Sequence, residues 1–374
     1  MKGKTVEYIN DIRDLQGVWN STLKQSNVDS VFLTYEWLFS WLKVYAPDIK
    51  QFIICIKENE SVIALAPFII LPMRNFGLSL KRLQFIGYGA SDYMDFIIQK
   101  DNSECLEIIF SFIEKHSHLW NYCELHNISE ESENFLLLDK VLSKSYRFYK
   151  IGIENPCPYV KLNKSFDNYI KTRIAGLRYD LKKGEGDLIK IGNLTYDKIS
   201  SQRIALNELS NFFNMAERRE QTVNRSTTVI NIDNRRRIFK LYVENDFLWS
   251  HLNFFRICLD GKVIAYHFGF EYNKKLFWYK PTFDIDYSRY SLGKLLIKWA
   301  MMYAIDKNFS EFDFLVGGEP YKYQWATESR NVYGLFLSNN TLFSRLIYYD
   351  FVLLVPSLIK VKSHFKLMIK KLLK

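Results

Sequence analysis

Leu276-Phe277-Trp278-Tyr279-Lys280-Pro281-Thr282, Phe283-Asp284-Ile285-Asp286-Tyr287-Ser288-Arg289-Tyr290 and Ser291-Leu292-Gly293-Lys294-Leu295-Leu296 are three consecutive segments whose reading decides the fold. The first is an aromatic-rich strand, the second a polar loop, and the third opens a helix expected to reach about Asp306. A loop feeding a helix N-terminus presents unpaired backbone N–H groups and the positive end of the helix dipole, which together suit a pyrophosphate. Gly293 leaves room for close approach and Lys294 adds a charge, so Ser291, Leu292, Gly293, Lys294 and Leu295 are the candidate phosphate-binding residues. A purely structural helix start is the alternative reading.

Working outward, residues 254–259 and 263–271 read as two further strands, joined to each other and to the third by turns at Asp260-Gly261 and Asn273-Lys274. This is an antiparallel meander. Upstream of it, Leu206, Leu209, Phe212, Phe213 and Ala216 form the apolar face of a helix ending near Arg218-Arg219, and a basic helix surrounds Arg235-Arg236-Arg237. Downstream, residues 311–315 supply a fourth strand. In the N-terminal half, residues 31–44 predict a helix capped by Thr34, and 51–57 and 61–71 a hairpin. Strands are expected near 83–86, 93–98 and 122–125, with a helix over 104–118. The Pro-containing stretch 154–158 reads as a boundary, followed by a basic helical segment at 165–183 that Gly184-Glu185-Gly186 is expected to end.

The composition supports a folded chain of two lobes. Of 374 residues 48% are hydrophobic and 16% aromatic, far from the composition of disordered chains. The five cysteines are scattered without C-x-x-C spacing, so neither a disulfide framework nor a metal site is expected. No apolar leader follows Met1, which points to a cytoplasmic protein. The net charge is +10, and residues 345–374 carry seven Lys/Arg against one Asp. Val361, Phe365, Met368 and Leu372 repeat there at helical spacing opposite lysines, as in a helix lying on an anionic membrane. An ordinary helix packed on the body is the alternative. The apolar run 346–359 falls short of the ~20 residues of a spanning helix.

The order of these motifs resembles the double-domain GNAT acyltransferases of the CelD/BcsL type, associated with cellulose and exopolysaccharide synthesis and related to the FemABX transferases. The carriers are Tyr35-Glu36-Trp37 with Trp41, Leu83 to Gly87 leading to Asp92-Tyr93-Met94-Asp95, and Arg178 to Lys183. Further on they are Gly261 to Ala265, Phe283-Asp284 to Leu292-Gly293, Phe312-Asp313-Phe314, Gly318-Glu319-Pro320-Tyr321-Lys322 and Trp325. The resemblance implies an α/β (α+β) fold of two tandem GNAT-like lobes, each a mixed, largely antiparallel sheet flanked by helices. The lobes fall at 1–153 and 154–341, with the basic amphipathic tail at 342–374. It also implies transfer of an acyl group from acetyl-CoA or a longer acyl-CoA to an amine or amino-sugar acceptor, in polysaccharide or cell-envelope precursor synthesis. Aminoacyl transfer from tRNA and a catalytically silent membrane-associated scaffold are the alternatives; nucleic acid enters only under the first of these.

Aminolysis of a thioester needs a neutral amine and a proton for the departing thiolate. His267, alternating with aromatics, is the candidate base; Tyr321 is the candidate acid; Asp284 and Glu319 stand at strand-end and loop positions beside the expected cleft. Lys322 is a candidate anion contact, and Asp92, Tyr93 and Asp95 are candidate acceptor contacts. A satisfied core histidine, surface carboxylates and alternating strand residues are the corresponding structural readings.

Overall fold

A computed structural model describes residues 3–75, 78–162, 165–222 and 232–339. The tail at 342–374, with its expected membrane contact, lies outside the described residues. Two units partition the chain: one takes Met1–Asp29, Asp48–Glu154 and the chain from Val332, the other Ser30–Pro47 and Asn155–Asn331. The division falls inside the strand Tyr149–Lys161, so the prolines at 156 and 158 belong to a strand and not to a linker. Proline is tolerated there because the carbonyls of Pro156 and Pro158 are what the neighbouring chain uses.

In the first unit, Lys4–Ile9, Ile53–Glu58, Ser61–Ala66 and Ile97–Ile98 form an antiparallel sheet in that order. The hairpin turn rests on Asn59 and Glu60, both at positive φ (48° and 64°), as a two-residue turn requires. The apolar run 61–71 is not one strand. It breaks at Pro67, and Phe68–Asn75 pairs instead with Leu78–Phe85, which runs parallel to Tyr122–Ser129. Ile54, Phe68, Phe85 and Phe96 are sealed against Ile109 and Phe110 of the helix Cys105–Lys115.

In the second unit the strand order is Leu194–Lys198, Leu252–Leu259, Lys262–Tyr272, Lys275–Phe283, Glu311–Asp313 and then the second-unit residues of Tyr149–Lys161. The three central strands are the expected antiparallel meander; Glu311–Asp313 is parallel to its meander neighbour. On one face Phe255, Ile257, Leu276 and Trp278 bury the helices Ala175–Ile191 and Leu292–Asp306. The other face carries Phe254, Tyr266, Phe268 and Phe270 beneath the helices Gln202–Thr222 and Ile232–Glu244, with Phe239 and Phe268 rings 4.5 Å apart. The helix Tyr35–Tyr45 joins this layer by stacking Trp37 on Tyr242 at 4.4 Å. Thr34 starts that helix as expected, its side chain accepting from the Trp37 N–H at 3.4 Å. No helix among the described residues is long and apolar enough to cross a membrane.

The helix Ala175–Ile191 runs straight through the glycines expected to end it. Leu177, Leu181 and Leu188 recur on one face and are buried in the second-unit core, which outweighs the roughly 1 kcal/mol that each interior glycine costs. Gly184 is there for space. A Cβ on it would lie 2.3 Å from the Tyr290 carbonyl oxygen, so the helix can cross the loop ahead of Leu292 only without a side chain. Gly186 has nothing within 4 Å of its Cβ position. Gly184→Ala is therefore expected to destabilise the protein by about 1–3 kcal/mol, while Gly186→Ala stabilises it by about 0.5–1 kcal/mol. Denaturant unfolding of the two variants measures both; equal effects would remove Gly184 from this role.

Candidate functional site

The strand Lys275–Phe283 pairs from end to end with Lys262–Tyr272, with a register irregularity at Trp278 and Tyr279, but on its other side only through Lys275, Leu276 and Phe277, opposite Glu311, Phe312 and Asp313. Beyond Asp313 the chain turns to its other neighbour: Phe314 N–H donates to the Pro158 carbonyl at 3.0 Å and Gly317 N–H to that of Pro156 at 2.9 Å. Buried charges fix this departure. Asp313 accepts the Leu315 N–H at 2.7 Å, and Leu315 sits at φ 62°. Arg330, 5% exposed, pairs with Glu311 and lies 3.4 Å from Asp313. Lys322, 3% exposed, donates to the carbonyls of Leu315 (3.2 Å) and Val316 (2.9 Å) and pairs with Glu319 at 2.9 Å. From Trp278 to Phe283 the strand therefore has no strand partner on that side among the described residues.

A groove of about 270 Å³ lies there. Trp278, Pro281 and Phe283 form one wall and Leu292, Gly293, Lys294 and Ile297 another; Ser288, Ser291, Arg219 and Tyr321 complete it. The helix Leu292–Asp306 begins from Ser291 in the left-handed region (φ 56°), with no side-chain cap. The N–H groups of Lys294 and Leu295 both donate to the Ser291 carbonyl, at 2.8 and 3.1 Å. Of the five residues expected to meet phosphate, Leu292 and Gly293 keep amides that lie too early in the helix for an intrahelical acceptor. The Lys294 ammonium is paired with Asp180 at 2.5 Å, so it brings little net charge. A Cβ at Gly293 would touch only the Phe283 ring, at 3.7 Å, so the fold itself does not require glycine there.

Of the four expected acid–base residues, Tyr321 lines the groove, with 36% of its surface exposed. His267 does not. It is 0% exposed, its ring stacks on Trp278 at 3.9 Å, and neither ring nitrogen has a hydrogen-bond partner among the described residues. Burial drives its pKa down to about 3, so it is a neutral core imidazole with no access to an amine. Asp284, 6% exposed, caps the short helix Ile285–Tyr290 and is held by Lys262 at 3.1 Å and Arg218 at 3.3 Å. Glu319 is tied to Lys322, and Lys322 is spent on loop carbonyls, not offered to an anion.

None of the described residues lining the groove is Asp, Glu or His. In the first unit, Asp95 is buried, accepting from Phe96 N–H at 2.7 Å and Asn134 at 2.9 Å. Burial lifts its carboxyl to about 6 despite those bonds, which is the behaviour of an internal bracket. Asp92 and Tyr93 are half-buried in the same unit. Arg219, Trp278 and Ile297 were not singled out from sequence as site residues. The alternation Leu276, Trp278 does put both on one face, but the sequence does not say which face meets the helix.

A buried neutral His267 makes stability depend on pH. Its folded pKa of about 3 lies below the unfolded value near ~6.5, so its contribution is complete above the unfolded value and is lost as pH falls through it toward the folded one. The parent is expected to lose stability relative to His267→Phe at about 1.4 kcal/mol per pH unit below roughly pH 6. Denaturant melts at several pH values would show the two curves diverging. Parallel curves would mean that the imidazole is not buried uncharged.

Residues 175–323 match the family model described as an acetyltransferase (GNAT) domain. No curated protein matches the chain in sequence. In structure it is similar to FemX, with a TM-score of 0.64 at 10% identity over 92% of this chain and 100% of that one. It is also similar to the C-terminal domain of a putative lysylphosphatidylglycerol synthetase from Agrobacterium fabrum, with a TM-score of 0.54 at 12% identity over 92% and 97% of the two chains. A tandem GNAT protein from the clavulanic acid biosynthesis pathway gives a TM-score of 0.50 at 9% identity over 88% and 98%. At such identities the likeness is one of fold, a mixed α/β chain of tandem GNAT-like architecture, and the stretch that matches the acetyltransferase (GNAT) domain model contains the groove.

Proposed function

We propose that the protein is an N-acyltransferase that moves an acyl group from an acyl-CoA to an amine, with the groove beside Trp278–Phe283 as the donor site. One observation carries this reading: an open strand edge, an uncapped helix start and an unobstructed glycine meet in one groove. The acyl-CoA supplies the activated thioester. The Leu292 and Gly293 amides hold its phosphates, aided by the positive end of the helix dipole. The free edge of Trp278–Phe283 takes the amide-bearing arm as an added strand would lie. The amine nitrogen bonds to the acyl carbon as the C–S bond breaks; Tyr321, lining the same groove, gives its Oη proton to the departing thiolate and regains one from the acylated nitrogen. The motif resemblance favours an amino-sugar or other amine in polysaccharide or envelope precursor synthesis as acceptor.

Gly293→Val places a branched side chain where the fold leaves space, and is expected to weaken acetyl-CoA binding at least about tenfold, or about 1.4 kcal/mol. Lys294→Ala, which removes a charge already paired with Asp180, is expected to stay within about twofold. Calorimetric titration of both variants, with circular dichroism to confirm folding, measures the order. Undiminished binding by folded Gly293→Val would remove the loop from the donor site.

No described residue lining the groove is a carboxylate or an imidazole, so on this reading the amine arrives already neutral. For a series of amines of different basicity, kcat/KM is expected to rise with pH along each amine's own ionisation. A common inflection near pH 6–7 for all of them would reveal a protein base and contradict this reading.

A further inference from the structure

The donor reading leaves open how long an acyl chain the groove admits, and the deep end of the groove answers this. Pairing between Lys275–Phe283 and Glu311–Asp313 stops at Phe277 and Asp313, so Trp278 is the first residue past the point where the strands part. It lines the groove yet is only 2% exposed. Its indole cannot recede. Behind it the His267 ring lies 3.9 Å away and nearly parallel (13°), and that ring sits over Gly269, where a Cβ would be 2.3 Å from the imidazole Cε1. Phe255 and Phe312 flank the pair at 5.8 Å each. Ile297, 2% exposed, faces the same groove from the helix. The imidazole makes no hydrogen bond among the described residues, so packing alone keeps it in place.

We propose that Trp278, backed by His267, closes the deep end of the groove and restricts the donor to short acyl groups, acetyl first. This rests on the donor-site reading above. Trp278 acts by touching the acyl group; His267 is a positioning residue that holds the indole, and Gly269 is the notch that accommodates the imidazole. A closed-packed aromatic pair rejects added methylenes because neither ring has room to move.

The test measures kcat/KM for acetyl-, butyryl- and octanoyl-CoA with one amine acceptor, and binding of the same three by calorimetry. The parent is expected to prefer acetyl- over octanoyl-CoA by about 100-fold or more. Trp278→Ala should raise octanoyl-CoA use at least about tenfold while lowering that of acetyl-CoA, and His267→Ala should shift the ratio in the same direction by less. His267→Phe, which keeps a ring behind the indole, should restore the parent's chain-length ratio. Ile297→Ala enlarges the same end from the helix and serves if Trp278→Ala does not fold. A parent that uses octanoyl-CoA as well as acetyl-CoA, or a ratio unmoved in folded Trp278→Ala or Ile297→Ala, overturns the proposal while leaving the donor site standing. A parent that binds none of the three overturns both.

Discussion

The second unit depends on the parting of two parallel strands after Phe277 and Asp313. Backbone N–H and C=O groups must find partners, water or a ligand, so a strand edge opened beside a groove is a structural commitment. The chain keeps it open by giving residues 314–317 somewhere else to bond, the carbonyls of Pro158 and Pro156. It then locks that choice with buried ions. Burying charge is costly unless every ion is paired and hydrogen-bonded, and here Arg330 has Glu311 and Asp313, while Lys322 has two carbonyls and Glu319. Such a network is a directional way to stop two strands from zipping together, because each partner is met at one geometry only.

Different forces hold the two ends of the groove. Next to Phe283, which lines the groove, Asp284 is gripped by Lys262 and Arg218 and caps the turn Ile285–Tyr290, whose last carbonyl rests against Gly184. This positions Ser291 and thereby the start of the helix. At the deep end the contacts are aromatic: Trp278, His267 and Phe312 stack into the core of the unit.

Much of this was legible in the sequence, for identifiable reasons. The meander, its two turns and the helix after Ser291 follow from side-chain periodicity and from turn residues, and Thr34 from its side-chain chemistry. What misled was tertiary. Gly184 looks like a helix stop until the Tyr290 carbonyl is seen pressed against it. Prolines at 156 and 158 look like a linker until their carbonyls are seen to serve a neighbour. His267 alternates with aromatics whether its face is open or sealed, and only the stack on Trp278 shows it sealed. Lys322 reads as an anion contact because no local pattern reveals that its carbonyl partners lie on the loop before its own helix. For the loop expected to bind phosphate, the sequence located the helix start; the structure showed that Ser291 already uses two of the expected donors.

The central claim, that the open edge and the helix start together receive the donor, is tested most directly by residue-resolved amide hydrogen exchange with and without saturating acetyl-CoA. Slowed exchange at Leu292 and Gly293 and along Trp278–Phe283, with the paired strand Leu252–Leu259 unchanged, is the expected result. Bound acetyl-CoA that leaves exchange at both the strand edge and the helix start unaltered would contradict it.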